Sequence, residues 1–119
     1  MTRLAQLDFD ERGDVVIAQL TGELDLSNVH DVGDGLNSAV TARTAGLVLD
    51  LAALTHLDSA GIRLLFDLRQ RLSTARQRLV AVVPEDAPIR EVLELAAVPA
   101  TVPVFAELDE GVAAASARV

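Results

Sequence analysis

Ser59 is the residue whose neighbours give it the clearest chemistry. It stands in Leu57-Asp58-Ser59-Ala60-Gly61, between an apolar run and a segment of helical periodicity. A serine at the start of a helix exposes its hydroxyl, and two uses follow. The hydroxyl can cap the helix by accepting from a first-turn amide. It can also carry a phosphate, which the unpaired amides and positive dipole end of a helix N-terminus accommodate. Asp58 competes with Ser59 for the capping role. Asp25 and Asp58 invite a reading as a carboxylate pair for a metal or for acid–base work, but capping and solubility account for both. His56 precedes Ser59 by three positions, and groups so close in sequence do not converge as a triad does. It reads as a histidine of a surface loop. The hydrolase elbow Gly-x-Ser-x-Gly is broken by Leu57 at its first glycine, and both His30 and His56 precede the serine. A receiver domain phosphorylated on Asp50 would need a lysine, and the chain has none. No catalytic residue, metal ligand set or cofactor is assigned.

The composition narrows the partners. The formal charge of −8 opposes binding to a polyanion, whose non-specific affinity comes from cations displacing counterions. Three Phe without Trp or Tyr leave little to stack on bases. Direct nucleic-acid binding is therefore not expected. All ten basic residues are arginine, five of them between Arg63 and Arg78, a cluster that reads as a solvated helix face. The absence of cysteine removes disulfides and thiolate chemistry and fits a reducing compartment. The acidic start, Met1 to Asp10, does not resemble a signal peptide, and no run approaches the roughly 20 apolar residues of a membrane span. A cytoplasmic protein without membrane insertion is the expectation, with residues 1–119 forming one domain.

The elements that position Ser59 follow from periodicity. Residues 4–9 alternate weakly and Val15 to Leu20 form an apolar run, with the turn-rich Asp10-Glu11-Arg12-Gly13-Asp14 between them, which predicts an antiparallel hairpin. Ser27 or Asn28 caps a helix over about 28–42, with Val29, Val32, Leu36 and Val40 on one face. Leu47 to Leu51 is almost wholly apolar, as a central strand must be. A helix from Asp58 or Ser59 to about Ala75 carries Ile62, Leu65, Phe66 and Leu72 on one face. A strand from Leu79 to Val83 stops at Pro84, and Pro88 opens a helix carrying Ile89, Val92, Leu93 and Ala96. Val102 to Phe105 gives a last strand and residues 107–117 a closing helix. The expected fold class is α/β: a mixed, mostly parallel sheet of about five strands, begun by an N-terminal hairpin, with about four α-helices.

At two motifs the chain resembles the STAS domain of the anti-sigma factor antagonists. These are Leu20-Thr21-Gly22-Glu23-Leu24-Asp25 after the second strand and Leu57-Asp58-Ser59-Ala60-Gly61-Ile62 after the third. The second is the more specific, since the family's phosphorylated serine follows an Asp and stands two residues before a Gly. The resemblance covers nearly the whole chain in its order of elements. It implies a non-enzymatic, partner-switching module. The unphosphorylated form binds an anti-sigma factor with serine kinase activity and so frees a sigma factor; phosphorylation at Ser59 ends the binding, and a phosphatase resets it. The partner-binding residues implied are Gly22, Glu23, Asp25, Asp58, Ser59, Ala60, Gly61 and Ile62. Ala60 stands where the family often has a second Ser or Thr, so Ser59 is the single acceptor. The alternative within the fold is a STAS subunit of a lipid-transport or stress-signalling complex, binding a partner without sigma-factor control.

Overall fold

A computed structural model describes residues 5–116. The hairpin strands are β1 (Gln6–Arg12) and β2 (Val15–Leu24), paired antiparallel around the two-residue turn Gly13-Asp14. Then follow α1 (Val29–Ala39), β3 (Gly46–Leu57), α2 (Ser59–Thr74), β4 (Arg78–Val82), α3 (Pro88–Leu95), a short 3₁₀ turn (Val98–Ala100), β5 (Val104–Phe105) and α4 (Leu108–Ser116). The expected strand start at residue 4 and helix end at residue 117 lie outside the described residues.

The strands lie in the order β1-β2-β3-β4-β5, with every pairing after the hairpin parallel. Each crossover advances the sheet in the same direction. Connections of one hand must then put α1, α2 and α3 on the same face. Strand alternation supplies that face with Val16, Ala18, Leu20, Leu47, Leu49 and Leu51, which share one buried cluster with Leu36, Leu65, Leu72 and Leu93 of the helices. The intervening residues Val15, Ile17, Val48, Val80 and Val82 face the other way, against α4. The core is aliphatic throughout, as three Phe among 119 residues require. On α3, Ile89 and Leu93 face the core, whereas Val92 is exposed.

Two strands run further than their apolar patterns suggest. β2 includes the Thr21–Leu24 motif, and β3 continues for seven residues past Asp50. β4 pairs with β3 only as far as Asp50; from there β3 follows β2 alone. Its side chains no longer alternate, since Leu54 and Leu57 are buried while Ala52, Ala53, Thr55 and His56 are exposed. Asp50 is consequently mid-strand, with Oδ1 accepting from the Ala52 amide at 3.1 Å, and does not sit at a strand end as a receiver phosphoacceptor would.

Gly46 fixes the seat of α4. A Cβ there would come within 2.3 Å of the Ala115 backbone carbonyl, which cannot rotate away as a side chain can. Gly46→Ala should therefore cost about 1–3 kcal/mol through forced displacement of α4. Urea unfolding measures the loss, and amide exchange should show protection falling first in residues 108–116.

Candidate functional site

The two motifs meet where neighbouring parallel strands end. β2 and β3 pair Glu23 with His56 and Leu24 with Leu57, so the loop after β2 and the start of α2 leave the sheet side by side. A register shift at Gly22/Glu23 places Thr55 as the extra residue on β3, and its hydroxyl donates to the Gly22 carbonyl at 3.0 Å. Gly22 has φ of 92°, a conformation that costs a residue with a Cβ dearly. The irregularity thus lies on β3 at Thr55, opposite the Gly22-Glu23 step, and β2 stays paired through Leu24.

Asp58 joins the two segments. Its Oδ1 accepts from the amides of Ala60 at 2.9 Å and Gly61 at 3.1 Å, and its Oδ2 accepts from the Leu26 amide at 3.3 Å. The Asp58 amide in turn donates to the Leu24 carbonyl at 3.3 Å. Asp58 is therefore the N-cap of α2 and Ser59 the first helical residue. This settles the capping question against Ser59. Its side chain is exposed, and the hydroxyl makes no hydrogen bond among the described residues. Gly61 lets the first turn of α2 close down on the sheet, since a Cβ there would lie 2.4 Å from Leu57 Cδ1 and 3.1 Å from Leu24 Cγ.

The loop beside Ser59 is braced from within. Buried Asn28 precedes α1 but makes no side-chain cap to that helix. It turns back, accepting from the Asp25 amide at 3.1 Å and donating to the Glu23 carbonyl at 2.8 Å. Asp25 accepts from both the hydroxyl and the amide of Ser27. The Ser27 hydroxyl holds the Asp25 carboxyl below its ordinary range; desolvation opposes this, while the Ser27 amide and the charge of His56 assist. Asp25 Oδ1 and both carboxylate oxygens of Asp58 are thus committed to local donors, and no group of three metal-ligating side chains occurs among the described residues. His56 lies on β3 rather than in a loop, exposed and opposite Glu23.

Next to this corner a groove of about 400 Å³ runs between α1 and α2, lined by Leu26, His30 and Asp34 on one side and Ala60, Arg63 and Asp67 on the other. Leu26, at one end of this lining, is 73% exposed.

The STAS domain family model matches residues 6–111. The chain belongs to the STAS domain family. Among solved structures it is similar to an anti-sigma factor antagonist from Mycobacterium paratuberculosis, with 20% identity, TM-score 0.85, and 98% of this chain covering 100% of that one. It is also similar to the anti-sigma factor antagonist SpoIIAA in its unphosphorylated form, at 20% identity and TM-score 0.70, over 90% of this chain and 91% of that one. The Bacillus cell fate determinant SpoIIAA in the phosphorylated form gives 19% identity and TM-score 0.65, over 93% and 98% of the two chains. At such identities the likeness is one of fold. Comparison with curated protein sequences gives no match.

Within this STAS domain the eight residues singled out by sequence occupy one corner, in unequal roles. Gly22 and Gly61 are buried and shape the backbone; Glu23, Asp25, Asp58, Ala60 and Ile62 are half-buried; Ser59 is exposed. Sequence reasoning did not place Leu26, Asn28 or Arg63 at this corner, reading Asn28 as a helix cap and Arg63 as one of a basic cluster. A signal existed for Leu26, an apolar residue isolated among Asp25, Ser27 and Asn28.

Asp58→Ala should destabilise the domain by about 1–2 kcal/mol, as loss of an N-cap does, whereas Ser59→Ala should stay within about 0.5 kcal/mol of wild type. Denaturant unfolding of both variants checks this. Because the folded Asp25 carboxyl is held below 3.8, its contribution to stability is complete above that value and is lost as pH falls through the lower folded one. Ser27→Ala should raise the Asp25 pKa, read by carboxyl carbon NMR across a pH titration.

Proposed function

We propose that this STAS domain is an anti-sigma factor antagonist of the cytoplasm. Its unphosphorylated form binds an anti-sigma factor that is also a serine kinase, and a sigma factor is thereby released. Phosphorylation of Ser59 abolishes the binding, and a phosphatase acting on phosphorylated Ser59 restores it. The observation that carries the reading is the exposed, unbonded Ser59 hydroxyl, held at the first position of α2 by a cap that does not use it. A hydroxyl free of structural duty can be modified without unfolding the domain. Its neighbours explain why modification would matter. A phosphate adds about −1.5 to −2 charges at pH 7, close to Asp58 and to the Glu23–Asp25 segment that Asp58 tethers. A partner seated on Leu26, Ile62 and Ser59 would then meet bulk and negative charge where it had met a small polar surface.

The domain acts by binding, with no catalytic group or cofactor of its own. No helix among the described residues is long and apolar enough to cross a membrane.

Affinity capture with wild type, Ser59→Ala and Ser59→Asp, followed by phosphosite mapping of the wild type, tests the proposal. Wild type and Ser59→Ala should retain one partner of kinase fold, Ser59→Asp should lose it, and phosphate should map to Ser59. A partner set indifferent to all three would instead favour a subunit of a transport or stress-signalling complex.

A further inference from the structure

The first turn of α2 has little room for a phosphate on its own amides. The Asp58 side chain takes the N–H groups of Ala60 and Gly61, and the Asp58 carbonyl takes that of Ile62 at 3.0 Å. A phosphate on Ser59 could reach those donors only by displacing a carboxylate that Leu26 also holds, and against that carboxylate's charge. This alters the simple picture in which the helix N-terminus receives the anion.

The side chain must turn outward instead, over the surface of α2. There the neighbour four residues on is Arg63, and a helical side chain leans back toward the N-terminus over the preceding turn. Arg63 is exposed, borders the groove together with Ala60 and Leu26, and has no ion pair among the described residues. The other charged or titratable groups around this corner and groove are Glu23 and Asp25 at the end of β2, His56 on β3 beside them, His30 and Asp34 on α1, the N-cap Asp58, and Asp67 and, further along, Arg71 on α2.

We propose that Arg63 is the receiver of the Ser59 phosphate, forming a guanidinium–phosphate pair across one turn of α2 at the mouth of the α1–α2 groove. The inference rests on Ser59 being the phosphoacceptor. A guanidinium meets phosphate with two parallel donors, a geometry an ammonium cannot reproduce. Pairing changes the surface twice, since the anion is added and the free cation beside the groove is withdrawn from any partner.

The test uses the full chain with phosphoserine installed at position 59 during translation, so that no kinase is needed, and follows the phosphorus NMR signal against pH. The pair favours the dianion, so the second phosphate pKa should lie lower in the wild-type background than in Arg63→Gln, by roughly 0.3 to 0.7 unit. Arg63→Lys should fall between them. Arg71→Gln, two turns further along the helix, should match wild type. Equal values in wild type and Arg63→Gln would overturn the proposal, as would large phosphate-dependent shifts of the Ala60 and Gly61 amides, the mark of a displaced Asp58. Failure of a kinase to modify Ser59 would sink the proposed function and leave this measurement untouched.

Discussion

The Asp58 carboxylate accepts three backbone N–H groups from two segments of the chain, two at the start of α2 and one from Leu26 in the loop after β2. Each of these donors would otherwise be an orphan at an element end. One side chain therefore sets the start of a helix and the path of a neighbouring loop together. The parallel pairing of β2 with β3 makes this possible, because it releases both strands at the same end of the sheet. Gly22 and Gly61 serve the same end, the first by taking the positive φ that β2 needs opposite Thr55 and the second by letting α2 settle onto Leu24 and Leu57.

What this constraint leaves unconstrained is Ser59. With Asp58 as cap, the Ser59 hydroxyl has no structural task and faces solvent from a rigid position. Loops that carry function usually do so with their own flexibility; here the loop is held by Asn28 from inside and Asp58 from outside. Charge added at Ser59 consequently acts on a surface of defined shape. Under the proposed switch the effect on a partner would be one of electrostatics and fit, and the sheet beneath, whose core residues are buried aliphatics, need not respond.

Much of this was legible in the sequence, and the gaps have physical causes. The element order followed from period: alternation for the hairpin, an apolar run at Leu47–Leu51 where β3 has neighbours on both sides, and helical spacing on either side of it. The remainder of β3 was hidden because, paired on one side only, it buries just Leu54 and Leu57, a spacing of three that mimics neither strand nor loop. The site's two motifs stood out as motifs, but whether Asp58 or Ser59 caps α2 depends on backbone geometry that adjacent capping residues share. Asn28 looked like a cap because its residue type and position allow one; its side chain is instead drawn to the carbonyl of Glu23. Arg63 was folded into a basic cluster whose members read alike until their places in space separate them.

The central claim is that Ser59 carries a surface switch on an unaltered fold. Calorimetric titration of the anti-sigma kinase into the unmodified and the Ser59-phosphorylated chain tests it most directly. The account predicts affinity lower by two to three decades, roughly 3 to 4 kcal/mol, for the phosphorylated chain, with its unfolding midpoint little changed. Equal affinity of the two forms, or a loss of affinity that accompanies loss of the fold, would contradict it.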